Sequence, residues 1–458
     1  MTAEASNVAA AAGPRDGFMS VLRLPPFRWF VLGQTVSQLG DKLHHMALIA
    51  LVGAASTVGS GGLALAQLAV VFTAPAILLG PVAGVLVDRW NKRKTLVLCD
   101  LMRAVLVLMM PLAYGATRRL WLVYVLAFLV AMLGVFFNAA KMAIIPELVV
   151  RGQLLSANAA LAFIGRFATV IGIVGGGLIV GWAFWSRIGW IGYEAGFYLD
   201  ALSYFTSVVT LIIVARRMGH PEVVAGARAT ASPVPLSERI RQVFRSLVHD
   251  LGSTIRSIRG DARLRFVLLS VLLLALIAST IYVVMIVAVQ TVMNRGTEGV
   301  GISGGVLAGG MIVGSLLVGT LGTRWDKRRT VMLGCAALGA IMVLSAIFFT
   351  FVAFVPLAFV GGLALAPVMV SQDTLLHEAA PIGKRAMIFT TRDLVLGAAF
   401  TLLALIIGGA VRVVVAIGVD EPYRMAMFVL GGIVVVAGLV GAMLARGGEG
   451  QERVSAGS

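Results

Sequence analysis

The sequence predicts an all-α membrane protein with twelve transmembrane helices in two six-helix repeats. Three observations carry that prediction. Of 458 residues, 59% are hydrophobic and 13% charged, where a soluble domain carries about a quarter charged residues. The charges fall between apolar runs long enough to cross a bilayer core, which takes about 20 residues of helix. A basic turn also occurs twice, as GVLVDRWNKRKT at 84–95 and GTLGTRWDKRRT at 319–330, 235 residues apart and identical at seven of twelve positions.

The spans follow in order. The first half offers 28–56, 62–87, 95–116, 120–145, 154–183 and 194–215. The second offers 265–293, 300–322, 330–352, 354–376, 386–412 and 424–446. The weakest break is 352/354, inside FTFVAFVPLAF. None of these runs alternates with the period of two that barrel strands require. RWFVL at 28–32 answers LRFVL at 264–268 at an offset of 236, so the repeat is larger than one motif.

Arginine and lysine set the orientation. The 88–94 and 324–329 loops each hold four basic residues, and the connector 216–264 holds nine arginines. The alternate loops are poorer, Arg118-Arg119 excepted. Both termini and the connector are therefore expected in the cytoplasm. The net charge of +16 is spread along these loops, not gathered on one face, which argues against a nucleic-acid partner. Five segments result: a tail at 1–27, a bundle at 28–215, the connector, a bundle at 265–446 and a tail at 447–458. The first residues lack the basic start and apolar core of a signal peptide. Within the connector, Ile240, Val243, Phe244, Leu247, Leu251, Ile255 and Ile258 fall at helical spacing. That pattern predicts an amphipathic helix on the inner membrane surface, or a site for a cytosolic partner.

Two six-helix repeats in parallel orientation, joined by a cytoplasmic connector, resemble the major facilitator superfamily of transporters. The resemblance covers about residues 25–446. GVLVDRWNKRK resembles that superfamily's signature between the second and third helices, G-x-L-x-D-R-x-G-R-R/K, with Asn91 in place of the second glycine. The resemblance implies alternating access, with Gly84, Asp88, Arg89, Lys92 and Arg93 at a latch. In that latch Asp88 faces the N-terminal end of the eleventh helix, near Ala386. Arg324 and Arg328 belong to the second copy, where Thr323 replaces the aspartate, so the second latch is expected to be weaker. Arg392 and Asp393, near the start of the eleventh span, read as further gate residues.

GIVGGGLIVG at 172–181 resembles the fifth-helix signature of the superfamily's antiporters, with Ile173 where proline is expected. PELVVRGQLLSANA and FYLDALSYFTSVV resemble the bacterial macrolide and siderophore exporters. SQLGDKLHHMALIAL is also similar to the lysophospholipid flippases. The motifs do not separate the two branches. Both imply residence in a bacterial inner membrane.

Ionisable groups within a span mark candidate sites, because each needs an aqueous cavity or a partner. Gln34, Gln38, Asp41 and His45 lie on one stripe of the first span, which is expected to line a central cavity. Arg166, in the fifth span, is the expected partner of Asp41, with the alternative that this pair only fixes two helices. Asp100 and Arg103, one turn apart, read as a structural pair. Lys141 either snorkels to the interface or meets an anionic headgroup. Gln290, Tyr282, Gln372 and Asp373 are the second half's polar groups. His44-His45 is a poor metal signal, since adjacent residues face different ways and no cysteine or carboxylate cluster joins them. Cys99 and Cys335 read as small buried residues.

Such an apolar cavity suits a lipophilic or amphiphilic substrate. The expected protein is a monomeric secondary transporter for drug or siderophore efflux, without a cofactor, with proton coupling left open. Lysophospholipid transport is the alternative and an intramembrane enzyme a lesser one. No Walker loop or catalytic cluster supports ATP drive or catalysis.

Overall fold

A computed structural model describes residues 21–217, 238, 241–242, 245, 262–322, 325–379 and 385–455. The connector helix, Arg324, Thr323 and both chain ends lie wholly or mostly outside the described residues. Twelve long helices account for nearly everything described. In the first half they are α1 (Pro25–Ala55), α2 (Val58–Arg89), α3 (Lys92–Thr117), α4 (Leu120–Leu148), α5 (Leu154–Gly181) and α6 (Gly192–Arg217). The second half begins with α7 (Ala262–Thr280), which continues as two π-helical stretches, Ile281–Met285 and Ala288–Val292. Then come α8 (Gly296–Leu321), α9 (Lys327–Ile347), α10 (Phe351–Ala379), α11 (Arg385–Ala416) and α12 (Pro422–Ser455). Each observed helix overlaps one predicted span. Eleven are long and apolar enough to cross a membrane; α1, which carries Gln34, Gln38, Asp41, Lys42, His44 and His45, is not among them.

The basic turn that opened the repeat has a shared structural task. Asn91 caps α3 by accepting from the Lys94 amide at 3.2 Å, and Asp326 caps α9 by accepting from the Arg328 amide at 3.1 Å. A polar side chain suits this place because the first amides of a helix lack intrahelical partners. That explains Asn91 where the signature has glycine. Lys92 then reaches Glu147 at the end of α4, 2.7 Å away, and Lys327 reaches Glu378 at the end of α10. Each copy thus starts a helix and ties it to the end of the next.

Packing follows the repeat. In the first half α3 packs on α4 and α6, and α1 on α5; in the second α9 packs on α10 and α12, and α7 on α11. The halves meet through α2 on α11 and α5 on α8. Among the described residues, several inter-half contacts run from mid-span to the end remote from the basic turns. Thr73 and Thr401 share a hydrogen bond of 2.6 Å, Gln290 Nε2 donates to the Ile49 carbonyl at 3.2 Å, and Tyr423 donates to the Val58 carbonyl. Gly177 on α5 lies backbone against backbone on Gly301 of α8. At the basic-turn end Gly84 has open space around it and Asp88 is exposed. Among the described residues, the halves close on each other at the end remote from the basic turns and are more open at the other.

Candidate functional site

The first half holds a buried charge network. Arg103, on α3, donates to Asp41 of α1 at 2.9 Å and to Asp100 of its own helix at 3.3 Å. Tyr204 of α6 donates to the same Asp41 oxygen, and its ring lies 4.3 Å from the Arg103 guanidinium. One turn along α1, His44 Nδ1 sits 3.3 Å from Asp200 of α6. Asp100 and Asp200 are fully buried, Arg103 nearly so, and the Asp41 side chain retains 36% of its exposure. Lys141 on α4, half-buried, is within electrostatic reach of Asp41 and Asp100. Gly40 brings α1 and α6 this close: a side chain there would strike Ser203 and Asp200.

This arrangement corrects the expected partner of Asp41. Arg166 is exposed and pairs with no described residue. It shares a stripe of α5 with Ile173 and Gly177, which face the second half, whereas Gly172 and Gly176 face α1. The polar stripe of α1 also divides, because α1 is wedged between α5 and α6. Gln34 and Asp41 turn with His44 into the first bundle, while Gln38 lies against Gly165 and His45 faces the second half. Asp100 and Arg103 are one part of a larger network, and His44, Asp200 and Tyr204 were not singled out from sequence as members. Tyr204 and Asp200 at i and i+4 on α6 were the available signal.

Two glutamines leave the expected cavity. Gln290 bridges Ile49 and Thr297 at the shut end, and Gln372 donates to Ser270 at 2.9 Å inside the second bundle. Arg392 contacts Asp373 at 2.8 Å and Asp393 at 3.0 Å. Arg93 reaches the Ala215 carbonyl at 3.3 Å. Asp88 makes no ion pair with a described residue, and Arg328 contributes its backbone to the α9 cap. Among the described residues no group of three metal-ligating side chains occurs.

The second bundle carries the opposite chemistry in the corresponding place. At the offsets of the repeat, Asp41 corresponds to Ile277, Arg103 to Leu338 and Asp100 to Cys335. Ile277 and Leu338 line a cavity of about 240 Å³ that enters the bundle among α7, α8, α9 and α10 from the space between the halves. Its walls are isoleucine, leucine, methionine, valine and phenylalanine, with His45, Tyr282, Ser303 and Ser345 the only side chains able to hydrogen-bond. His45 of α1 lines it from the first half, its ring 4.8 Å from Phe72 and 6.0 Å from Tyr282.

Replacing Arg103 with methionine should destabilise the protein, by the ~3–5 kcal/mol typical of breaking a buried ion pair, because Asp100 would lose its cation. The melting temperature in detergent should fall clearly, while Arg166→Met should leave it unchanged. Equal melting temperatures for Arg103→Met and wild type would refute the network.

Twelve long helices in two bundles, eleven of them long and apolar enough to cross a membrane, with charged and apolar sites at mid-depth, are the architecture of a multi-pass membrane protein. Residues 30–308 match the Major Facilitator Superfamily, and the chain belongs to that family: a transporter, not an enzyme. It is 30% identical over 184 residues to an uncharacterized MFS-type transporter, YfiS, of Bacillus subtilis (strain 168), a match spanning 40% of each chain. A bacterial homolog of the human lysosomal transporter Spinster, inward-facing and unoccupied, superposes with TM-score 0.66 at 14% identity, covering 92% of this chain and 97% of that one. The nucleoside transporter NupG superposes with TM-score 0.66 at 12% identity, covering 90% and 98%. A bacterial homologue of the iron transporter ferroportin, inward-facing, gives 0.62 at 15%, covering 92% and 99%. These structural likenesses establish the fold.

Proposed function

We propose that this transporter exports lipophilic or amphiphilic small molecules from a bacterial cytoplasm in exchange for protons. The observation that carries the reading is the apolar cavity, which offers a sugar or small anion almost nothing to bind. In this reading both termini and the basic turns are cytoplasmic, so the state described is open to the cytoplasm. Asp88 and the start of α11 would meet only in the opposite state, closing the open end through the positive end of a helix. The charge network supports proton exchange by a simple count. Asp41, Asp100 and Asp200 are three carboxylates, and Arg103 and Lys141 two cations. Burying an uncompensated charge is expensive, and His44 and the carboxylates are the groups here able to exchange a proton. Substrate arrival or closure of the open end would change that count.

Lysophospholipid movement is the second reading, and the same cavity together with half-buried Lys141 favours it. The two are separated in proteoliposomes holding a pH-sensitive dye. Exporter activity gives substrate-driven alkalinisation or acidification alongside labelled-substrate flux. Substrate flux without any proton signal would reject proton exchange and favour the lipid reading.

A further inference from the structure

We infer that the cavity among α7, α8, α9 and α10 is a binding site for a single unbranched hydrocarbon chain, the tail of an amphiphile whose polar end lies at His45 and Tyr282. This rests on the reading of the protein as a carrier of lipophilic molecules and narrows it to one shape of passenger.

Four features lead there. The volume, about 240 Å³, falls below the ~300–1,000 Å³ of sites that enclose drug-sized compounds, yet the cavity extends from α1 across to α10. A slim chain suits a space of that volume and reach better than a compact polycycle or a pair of chains. The wall of α7 is π-helical over Ile281–Met285 and Ala288–Val292, an irregularity that costs hydrogen-bond geometry and gathers at functional sites. Met285 and Met342 add flexible apolar surface that adapts to a guest. Finally, the Tyr282 hydroxyl is buried without a hydrogen-bond partner, and its ring lies beside His45. A buried hydroxyl left unsatisfied is costly, and a polar head placed there would satisfy it.

The repeat gives the same result from another direction. The corresponding place in the first bundle is filled by Arg103, Asp41 and Tyr204. Ile277 and Leu338 in their stead leave space without charge, and Gly361 of α10 leaves more: a side chain there would first meet Ile341, 4.0 Å away.

The test uses the full-length protein in nanodiscs of two-chain phospholipid, which supplies no free single chains. Alkyl phosphocholines, alkyl maltosides and fatty acids of six to fourteen carbons compete with radiolabelled dodecylphosphocholine. Wild-type affinity should rise about fourfold per added methylene, the factor corresponding to ~0.8 kcal/mol for each buried CH₂, and then level off when the cavity is full. Gly361→Leu and Ala358→Phe should level off at shorter chains while binding the shortest ones as wild type does. The head group bound most tightly then identifies the source of the chain. Identical length dependence in wild type and in whichever variant keeps the wild-type melting temperature would overturn the site. Flux of lipophilic compounds in proteoliposomes without competition from any chain would overturn this inference and leave the broader reading standing. Absence of both flux and binding would remove the broader reading as well.

Discussion

Asp41→Asn should abolish substrate-driven proton movement and spare downhill substrate exchange. Asparagine preserves the shape and can still accept from Arg103 and Tyr204 through its carbonyl, the two bonds that hold Asp41 in place. It removes one carboxylate from a network of three, and with it a group able to carry the transported proton. Exchange of substrate for substrate needs no net proton transfer and should proceed near the wild-type rate. The proton signal from a dye enclosed in proteoliposomes should drop to that of empty liposomes, while counterflow of labelled substrate continues. A mutant that keeps its proton signal would move the coupling site elsewhere, with His44 and Asp200 the next groups to replace. Loss of both signals would mean that Asp41 holds substrate or structure, not the transported proton.

Gly177→Val should trap the transporter with its shut end forced open. Gly177 and Gly301 touch through their backbones: a Cβ on Gly301 would sit 2.7 Å from the Gly177 Cα, and the reciprocal contact is closer still. Backbone cannot yield as a flexible side chain can, so the added methyls must separate α5 from α8. Overpacking of this kind costs ~1–3 kcal/mol, which shifts a two-state equilibrium by about 5–150-fold. The readout is a cysteine at Gly84, which has open space around it in the state described. Its rate of reaction with a thiol reagent should fall by that factor in the Gly177→Val background, and transport should fall with it. An unchanged rate with normal transport would show that this contact does not hold the end shut, and would also count against closure of the open end around Asp88.

Much of this architecture is legible in the residues themselves. Hydropathy marks eleven of the twelve long helices, because a bilayer-spanning helix leaves little freedom over length or apolarity, and only the polar α1 falls short. The doubled basic turn marks the repeat. Partners across helices are less legible. Arg103 and Arg166 look alike in an apolar run, and only the faces of α3 and α5 distinguish them. Those faces are set by close helix contacts, such as Gly40 on α6 and Gly172 on α1. The stripe Gln34, Gln38, Asp41 and His45 is one face by periodicity, yet a helix held between two neighbours divides such a face between them. Gln290 lies in a π-helical stretch, where the 3.6-residue period that assigns faces no longer applies. Tyr204 and Asp200 passed unnoticed because a tyrosine or an aspartate in a span has meaning only beside its partner.

The two bundles are unequal at corresponding positions: charge fills one, and empty apolar space the other. On the function proposed above, such a molecule changes its cargo without rewiring its power supply. Substitutions at Ile277, Leu338, Gly361 or Ile341 reshape the hydrocarbon-lined compartment and leave every ionised group in place. Lineages carrying this duplicated fold can therefore diversify what they move by drift in one half, while the other half stays under the constraint of a balanced ledger of charge. For engineering, the second bundle is the half to mutagenise when a new passenger is wanted.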